Sequence, residues 1–254
     1  MKEVYYWSPC LTEVGTYKST INSAISLAKY SNKQYSVKII NTCGEWDSQK
    51  DLFKQHKIEL INLGFNYFKF LPKTGFLKSR FSYLIIFILS FFPLMKLIRK
   101  EKPHFLIIHL LTILPLFIKY LKKNKTKIVL RISGFPKLNF FRKMIWKISS
   151  ENIYKITCPS EQLKEQIILK KIFLENKIFF LPDPIIKISE FKNNFKKEIN
   201  LSKKKYFISV GRLTNQKNFG YLIDEFSKFI KINFDYDLHI YGDGEDRIKL
   251  QEQI

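Results

Sequence analysis

Short apolar runs alternate with longer stretches of helical period along nearly the whole chain. Glu3–Trp7 predicts a strand, and Tyr17–Lys29 a helix with Ile21, Ala24, Ile25 and Ala28 on one face. Ser36–Asn41 and Ile58–Leu63 predict two further strands. A long apolar helix at Phe81–Ile98 leads into a strand at His104–Leu110 and a helix over Ile113–Lys122. Lys127–Ile132 is the next strand, stopped by Ser133-Gly134-Phe135-Pro136. A helix at Phe140–Ser149, a strand at Ile153–Cys158 and a helix at Ser160–Lys170, N-capped by Ser160, continue the series. Its last strand is Lys177–Leu181, closed by Pro182-Asp183-Pro184. This alternation predicts an α/β fold, a parallel sheet with helices on both faces.

The pattern pauses in a Lys/Asn-rich stretch at 187–204 and then restarts. Tyr206–Val210 and Asp237–Tyr241 read as strands, Asn218–Phe229 as a helix, and another helix begins near Glu245. The organisation expected is a complete Rossmann-like domain at 1–186, a linker at 187–204, and the first part of a second Rossmann-like domain at 205–254. Two parallel strands with one face and both edges open do not close a core, so the second part reads as incomplete.

With 46% hydrophobic and 16% aromatic residues, the chain has ample material for a core, which excludes general disorder. Cys10, Cys43 and Cys158 are scattered, and no Cys/His cluster has zinc spacing. They read as inert thiols in a reducing compartment, and no metal site is expected. The 44 Lys+Arg against 22 Asp+Glu give a formal charge of +22, which suits nucleic acid or an anionic membrane. Lys outnumbers Arg, whereas base readout favours Arg, and no nucleic-acid-binding module is legible. The charge therefore reads as a solvated surface that also suits anionic lipid. Phe81–Ile98 has an uninterrupted apolar core of about 15 residues, short of the roughly 20 that span a bilayer. It contains Pro93 and Lys96, so it is expected to be a buried helix or one lying in the membrane interface with Lys78, Arg80, Arg99 and Lys100 at its ends. Met1-Lys2-Glu3 runs straight into the first strand with no signal peptide, which implies a cytoplasmic protein.

Arg212 follows a strand end and Lys217 stands at the start of a helix, so both can point into the crevice at the carboxyl ends of the strands. The helix N-terminus there adds a positive dipole end and free N–H groups. Gly242-Asp243-Gly244 alone reads as a tight strand-to-helix turn, with glycine permitting positive φ and Asp243 capping the helix. Glu13-Val14-Gly15-Thr16 lies between the first strand and helix. His109 ends the fourth strand at the same edge. His104 follows Pro103 at the opposite end of that strand, away from any crevice.

The segments SVGRLTNQKNFGYLIDEF (209–226) and LHIYGDGEDR (238–247) together resemble the family 4 glycosyltransferases, two-domain enzymes of GT-B fold. LRISGFP (130–136), ITCPSEQLKEQI (156–167) and KIFFLPDPI (177–185) resemble bacterial members, so the resemblance covers nearly the whole chain. It implies retaining, metal-independent transfer of a sugar from a nucleotide-diphosphate sugar, with no further cofactor. The acceptor it implies is a polysaccharide, lipopolysaccharide or lipid-linked intermediate at the cytoplasmic membrane face. By resemblance, Arg212 and Lys217 contact the donor diphosphate in place of a metal, and Gly211, Gly242, Asp243 and Gly244 lie near the nucleotide. Gly15 and Thr16 would approach the donor phosphate and acceptor, with Thr16 where the family usually has a second glycine. His109 and Ser133 would face the sugar, with Ser133 where many members carry histidine; serine can hydrogen-bond there but cannot act as a cation. The family's Glu-x7-Glu pair is not within 1–254, so these residues alone are expected to make a poor catalyst. Two other readings stay open: a non-catalytic remnant that binds an acceptor or partner through its first domain, and a basic nucleic-acid-binding protein.

Overall fold

The computed structural model describes residues 1–13, 15–73, 76–121, 124–136, 138–185, 188, 192 and 204–254. The chain divides into two compact units, Met1–Ile188 and Ser189–Ile254. Apart from 188, 192 and 204, the segment read as a linker at 187–204 lies outside the described residues.

Seven strands form one parallel sheet in the first unit: β1 (Lys2–Trp7), β2 (Tyr35–Asn41), β3 (Glu59–Asn62), β4 (Phe105–Ile108), β5 (Lys127–Arg131), β6 (Ile153–Cys158) and β7 (Ile178–Phe180). They lie in the order β3-β2-β1-β4-β5-β6-β7. Right-handed crossovers then send the helices of the β1-to-β3 series to one face and those of the return series to the other. The first face carries α1 (Gly15–Tyr30) and α2 (Lys50–Gln55). The second carries α3 (Phe76–Glu101), α4 (Ile113–Leu121), α5 (Phe140–Ser149) and α6 (Glu161–Leu169).

Strand period and packing agree. Val4 and Tyr6 pack with Tyr17, Ile21, Ala24 and Phe53 of the first helical layer. Their neighbours Tyr5 and Trp7 point the other way, into Leu94, Leu114, Trp146 and Leu163. Ser160 caps α6 as expected, its Oγ accepting the Leu163 N–H at 3.2 Å. Asn139 caps α5 in the same manner, accepting from Arg142 N–H at 2.9 Å. The helix α2 has only one buried side chain, Phe53, and so offers no apolar period from which to expect it.

The helix α3 has 26 residues and runs through Pro93, starting five residues before the apolar run does. At 1.5 Å per residue it is about 39 Å long, whereas a six-residue strand spans about 20 Å. Its first half therefore extends past the carboxyl edge of the sheet, where Ile86 packs with Leu11, Cys43 and Leu71 in a separate apolar cluster. Burial of Leu94 and Ile98 against the main core carries the helix past the proline, which lacks an N–H to give.

The second unit has two parallel strands, β8 (Lys205–Val210) and β9 (Tyr236–Tyr241), with α7 (Phe219–Ile230) and the short α8 (Arg247–Glu252). Leu213, Phe219, Ile223 and Leu250 form its buried centre. The rings of Phe207, Phe226, Phe229 and Tyr236 pack edge to face beside it. Ile208 and Val210 on β8 remain exposed.

Candidate functional site

In the second unit, β8 ends at Val210 and the chain passes through a single 3-10 turn, Asn215–Lys217, before α7. Asn218 takes a left-handed conformation between them. Three backbone hydrogen bonds stitch this loop to the one after β9. Gly211 N–H donates to the Tyr241 carbonyl, Leu213 N–H to the Asp243 carbonyl, and Asp246 N–H to the Leu213 carbonyl, each at 3.0 Å. The glycines make that approach possible. A Cβ on Gly242 would sit 1.9 Å from the Gly211 carbonyl oxygen, and one on Gly244 would sit 2.2 Å from that of Leu213. Neither glycine has positive φ, so their role is to bring two backbones together and not to relax a turn. Asp243 does not cap the helix either. Its carboxylate accepts the Gly244 N–H at 3.0 Å and stands 3.7 Å from Arg247, while Asp246 holds the N-cap position of α8.

The stitched loops display Arg212 and Lys217. Both are exposed, and among the described residues no carboxylate pairs with either. Lys217 passes close to Gly211, its Cγ lying 3.9 Å from where a Cβ on that glycine would stand. Asn218 makes no side-chain cap bond, so the first N–H groups of the 12-residue α7 are not taken up by a capping side chain. Two cations and a helix N-terminus thus share one edge of this sheet, an arrangement suited to a phosphorylated ligand. Among the described residues no three His, Cys, Asp or Glu side chains come together as metal ligands.

In the first unit the strand order reverses between β1 and β4, the place where open α/β sheets bind ligands. His109 follows β4 directly and donates its backbone N–H to the Trp7 carbonyl at 3.1 Å. Its ring is buried, with Nδ1 3.3 Å from Thr20 Oγ1. Thr20 Oγ1 in turn bonds the Thr16 carbonyl at 2.9 Å and lies 3.1 Å from Ser8 Oγ. Burial, and after it the Arg131 charge, push the His109 pKa down to about 3, so the ring is neutral at physiological pH. Its Nε2 is buried without a partner among the described residues. Gly15 and Thr16, expected between strand and helix, form the first turn of α1, and Thr20 links His109 to that turn. Gly15 is exposed, and a Cβ there would meet nothing within 4 Å. Ser133 stands exposed just beyond β5.

The carboxyl edge also holds a cluster that sequence reasoning did not single out. Arg131, buried at the end of β5, donates through Nε to Asp183 Oδ1 at 2.8 Å, through Nη2 to the same oxygen, and to the Leu181 carbonyl at 3.2 Å. Ser19 Oγ donates to that carboxylate oxygen at 2.8 Å, and Asn22 Nδ2 to the Pro184 carbonyl at 2.7 Å. Segment 181–185 is thereby pinned to α1. The available signals were an arginine inside an apolar strand and an aspartate between two prolines. Another carboxylate, the buried Glu45, accepts the Thr42 and Cys43 N–H groups at 3.0 and 2.8 Å and closes the loop after β2. The three thiols are buried and unpaired. Burial raises Cys10 to about 12 and Cys158 to about 11, so neither is a thiolate near neutral pH.

The seven-stranded parallel sheet followed by a second β/α unit matches the GT-B fold of solved glycosyltransferases. The model of the family described as "Glycosyl transferases group 1" matches residues 190–254, about a quarter of the chain. An uncharacterised glycosyltransferase of Methanocaldococcus jannaschii is 30% identical over 182 residues, which cover 64% of this chain and 45% of that protein. This chain thus spans less than half the length of that curated relative. Among solved structures, the apo lipopolysaccharide outer core galactosyltransferase WaaB matches with TM-score 0.65 at 17% identity, over 100% of this chain and 64% of that one. TarM of S. aureus, in a complex that contains UDP, matches with TM-score 0.63 at 12% identity, over 100% and 75%. A UDP-GlcNAc 2-epimerase of Neisseria meningitidis shares the fold with TM-score 0.57 at 11% identity, over 95% and 66%.

Two outcomes follow from the geometry. His109 takes up its proton near pH 6.5 when unfolded and near 3 when folded, so the unfolded chain binds more protons between those values. Stability is unaffected above that window and falls on acidification within it, by about 2 kcal/mol at pH 5 from this group. Urea unfolding at pH 7.5 and 5 should show a smaller acid loss in His109→Gln by that amount; equal losses contradict the burial argument. Gly242→Ala should part the two loops, and hydrogen exchange at the Leu213 and Asp246 amides should quicken at least tenfold. Unchanged protection would show that the loops do not depend on the close approach.

Proposed function

We propose that this chain belongs to an enzyme that moves a sugar from a nucleotide-diphosphate sugar to a cell-surface polysaccharide, lipopolysaccharide or lipid-linked acceptor. The observation that carries the reading is the pair Arg212 and Lys217, exposed and without carboxylate partners among the described residues, on loops locked together by Gly242 and Gly244. As the nucleoside diphosphate leaves, negative charge builds on its β-phosphate oxygens. Cations and helix N–H groups already in place lower the barrier because they need no reorganisation at that moment. On this reading the two side chains do what a metal does in other transferases, the donor is a substrate, and no separate cofactor is used.

Retention of configuration and metal independence are carried over from the family resemblance. In the first unit, the neutral imidazole of His109 and the turn at Gly15 and Thr16 support placement of an acceptor at the switch point between β1 and β4. Ser133 would add a hydrogen bond from the neighbouring loop. The net charge of +22 and the apolar α3 support work at the cytoplasmic face of a membrane, and nucleic acid is not part of the reading. Epimerases share the fold, but the match of residues 190–254 is to glycosyl transferases, which favours transfer.

The test is nucleotide release from a panel of UDP- and GDP-sugars by the full-length enzyme to which this chain belongs, and by its variants. Arg212→Ala and Lys217→Ala should each lower turnover by about 10²–10³-fold, the loss typical of a missing transition-state contact. Turnover within a few-fold of wild type in both variants would remove the diphosphate clamp.

A further inference from the structure

We propose that the outer face of α3, with the cationic recess at its C-terminal end, docks on an anionic lipid bilayer in whose interface the helix lies flat. The proposal deepens the membrane-face reading above by naming the surface that makes the contact, and it rests on that reading.

The helix is apolar on both sides, but only one side is packed. Ser82, Ile86, Ser90, Leu94 and Ile98 recur every four residues and are buried against the first unit. Leu77, Phe81, Leu84, Ile88 and Phe92 follow the other side at helical spacing, and each is at least half exposed, from 54% at Leu84 to 76% at Leu77. Only 28% of the helix's most apolar window is buried. A phenylalanine buries roughly 150–250 Å² in a core, so Phe81 and Phe92 each leave on the order of 100 Å² bare. Five such residues in one stripe reach the upper end of what a monomer ordinarily exposes in a single patch. The patch continues sideways. Phe91 meets the ring of Phe117 on α4 at 6.2 Å, and α4 lies against α5, which exposes Phe140, Phe141, Met144 and Ile148.

Charge decides what covers this face. One heptad beyond Phe92 the same stripe reaches Arg99, which lines a recess of about 950 Å³ with Lys2, Lys102, Lys125, Lys127 and His104. Among the described residues no carboxylate lines it. Lys2, Arg99, Lys102 and Lys125 have no ion-pair partner among the described residues. The C-termini of α3 and α4 end here, and each offsets only about half a charge against five cations. His104 Nδ1 accepts the Glu3 N–H at 3.2 Å, which leaves Nε2–H as a further donor. An apolar strip ending in an unneutralised cationic recess matches acyl chains beside anionic headgroups. A protein partner would have to supply the same apolar strip and an acidic cluster together. By length and composition alone α3 could cross a bilayer. Crossing would pull Ile86, Leu94 and Ile98, all at most 3% exposed, out of the core, so the helix lies in the plane.

The experiment is flotation of the full chain with phosphatidylcholine vesicles, and with vesicles of three parts phosphatidylcholine to one part phosphatidylglycerol, at 0.1 and 0.5 M NaCl. Binding should be at least tenfold tighter to the anionic vesicles and weaken at high salt. The double variant Ile88→Ser/Phe92→Ser should bind both kinds at least tenfold more weakly. Arg99→Glu/Lys102→Glu should lose binding only to the anionic ones. All four positions are exposed, and thermal unfolding is the check that the variants remain folded. Absence of anionic-vesicle binding in the wild type, or equal binding by both variants, overturns the proposal. So does a wild-type dimer that the serine variant splits, or membrane-expressed protein that resists alkaline carbonate. Flotation uses no nucleotide, so its failure leaves the result for Arg212 and Lys217 standing, and the reverse holds too.

Discussion

Because parallel strands must be joined by crossovers, helices cover both faces of the seven-stranded sheet and leave only its two edges open. Every loop that follows a strand is delivered to the carboxyl edge, and every helix C-terminus to the opposite one. His109, Ser133, Arg131 and the turn at Gly15 and Thr16 come together at the first edge for that reason alone. The cationic recess lined by Arg99, Lys102, Lys125 and Lys127 sits at the second, where helix C-termini favour positive side chains. The long α3 overshoots the sheet because its sequence continues the apolar period beyond what the strands can cover.

Two arginines show how setting separates structural from chemical roles. Arg131 is buried, forked onto Asp183, and supported by Ser19, so its charge is spent holding segment 181–185 against α1. Removing one member of such a buried pair typically costs about 3–5 kcal/mol, mostly because the other charge is left stranded. Arg212 is exposed, without a carboxylate partner among the described residues, on a loop hydrogen-bonded through its backbone, so its charge remains available to a ligand. The glycines at 242 and 244 connect the two ideas. They spend conformational freedom to fix a loop whose side chains stay free.

The strand series, the helices and the parallel order were legible because each element carries its own apolar period, from Val4 and Tyr6 in β1 to Ile223 in α7. The Ser160 cap was legible because its hydroxyl precedes the helix directly. The helix α2 was not, since it has six residues and Phe53 is its one buried side chain. Arg131 and Asp183 were missed because they lie far apart in sequence and meet only once the sheet is ordered. The loop glycines were noticed for the wrong physical reason. A sequence shows that glycine is present, but only the fold shows that a Cβ would strike Gly211 and Leu213. The outer face of α3 was half read, since apolar residues on both sides of a helix do not say which side the core takes.

The most direct measurement of the account is calorimetric titration of the full chain with UDP and GDP beside the matching nucleosides. If Arg212 and Lys217 form a diphosphate clamp, one of the two diphosphates should bind at least tenfold more tightly than its nucleoside, and Arg212→Ala/Lys217→Ala should erase the difference. Equal affinity for diphosphate and nucleoside, or a difference that survives in the double variant, would contradict it.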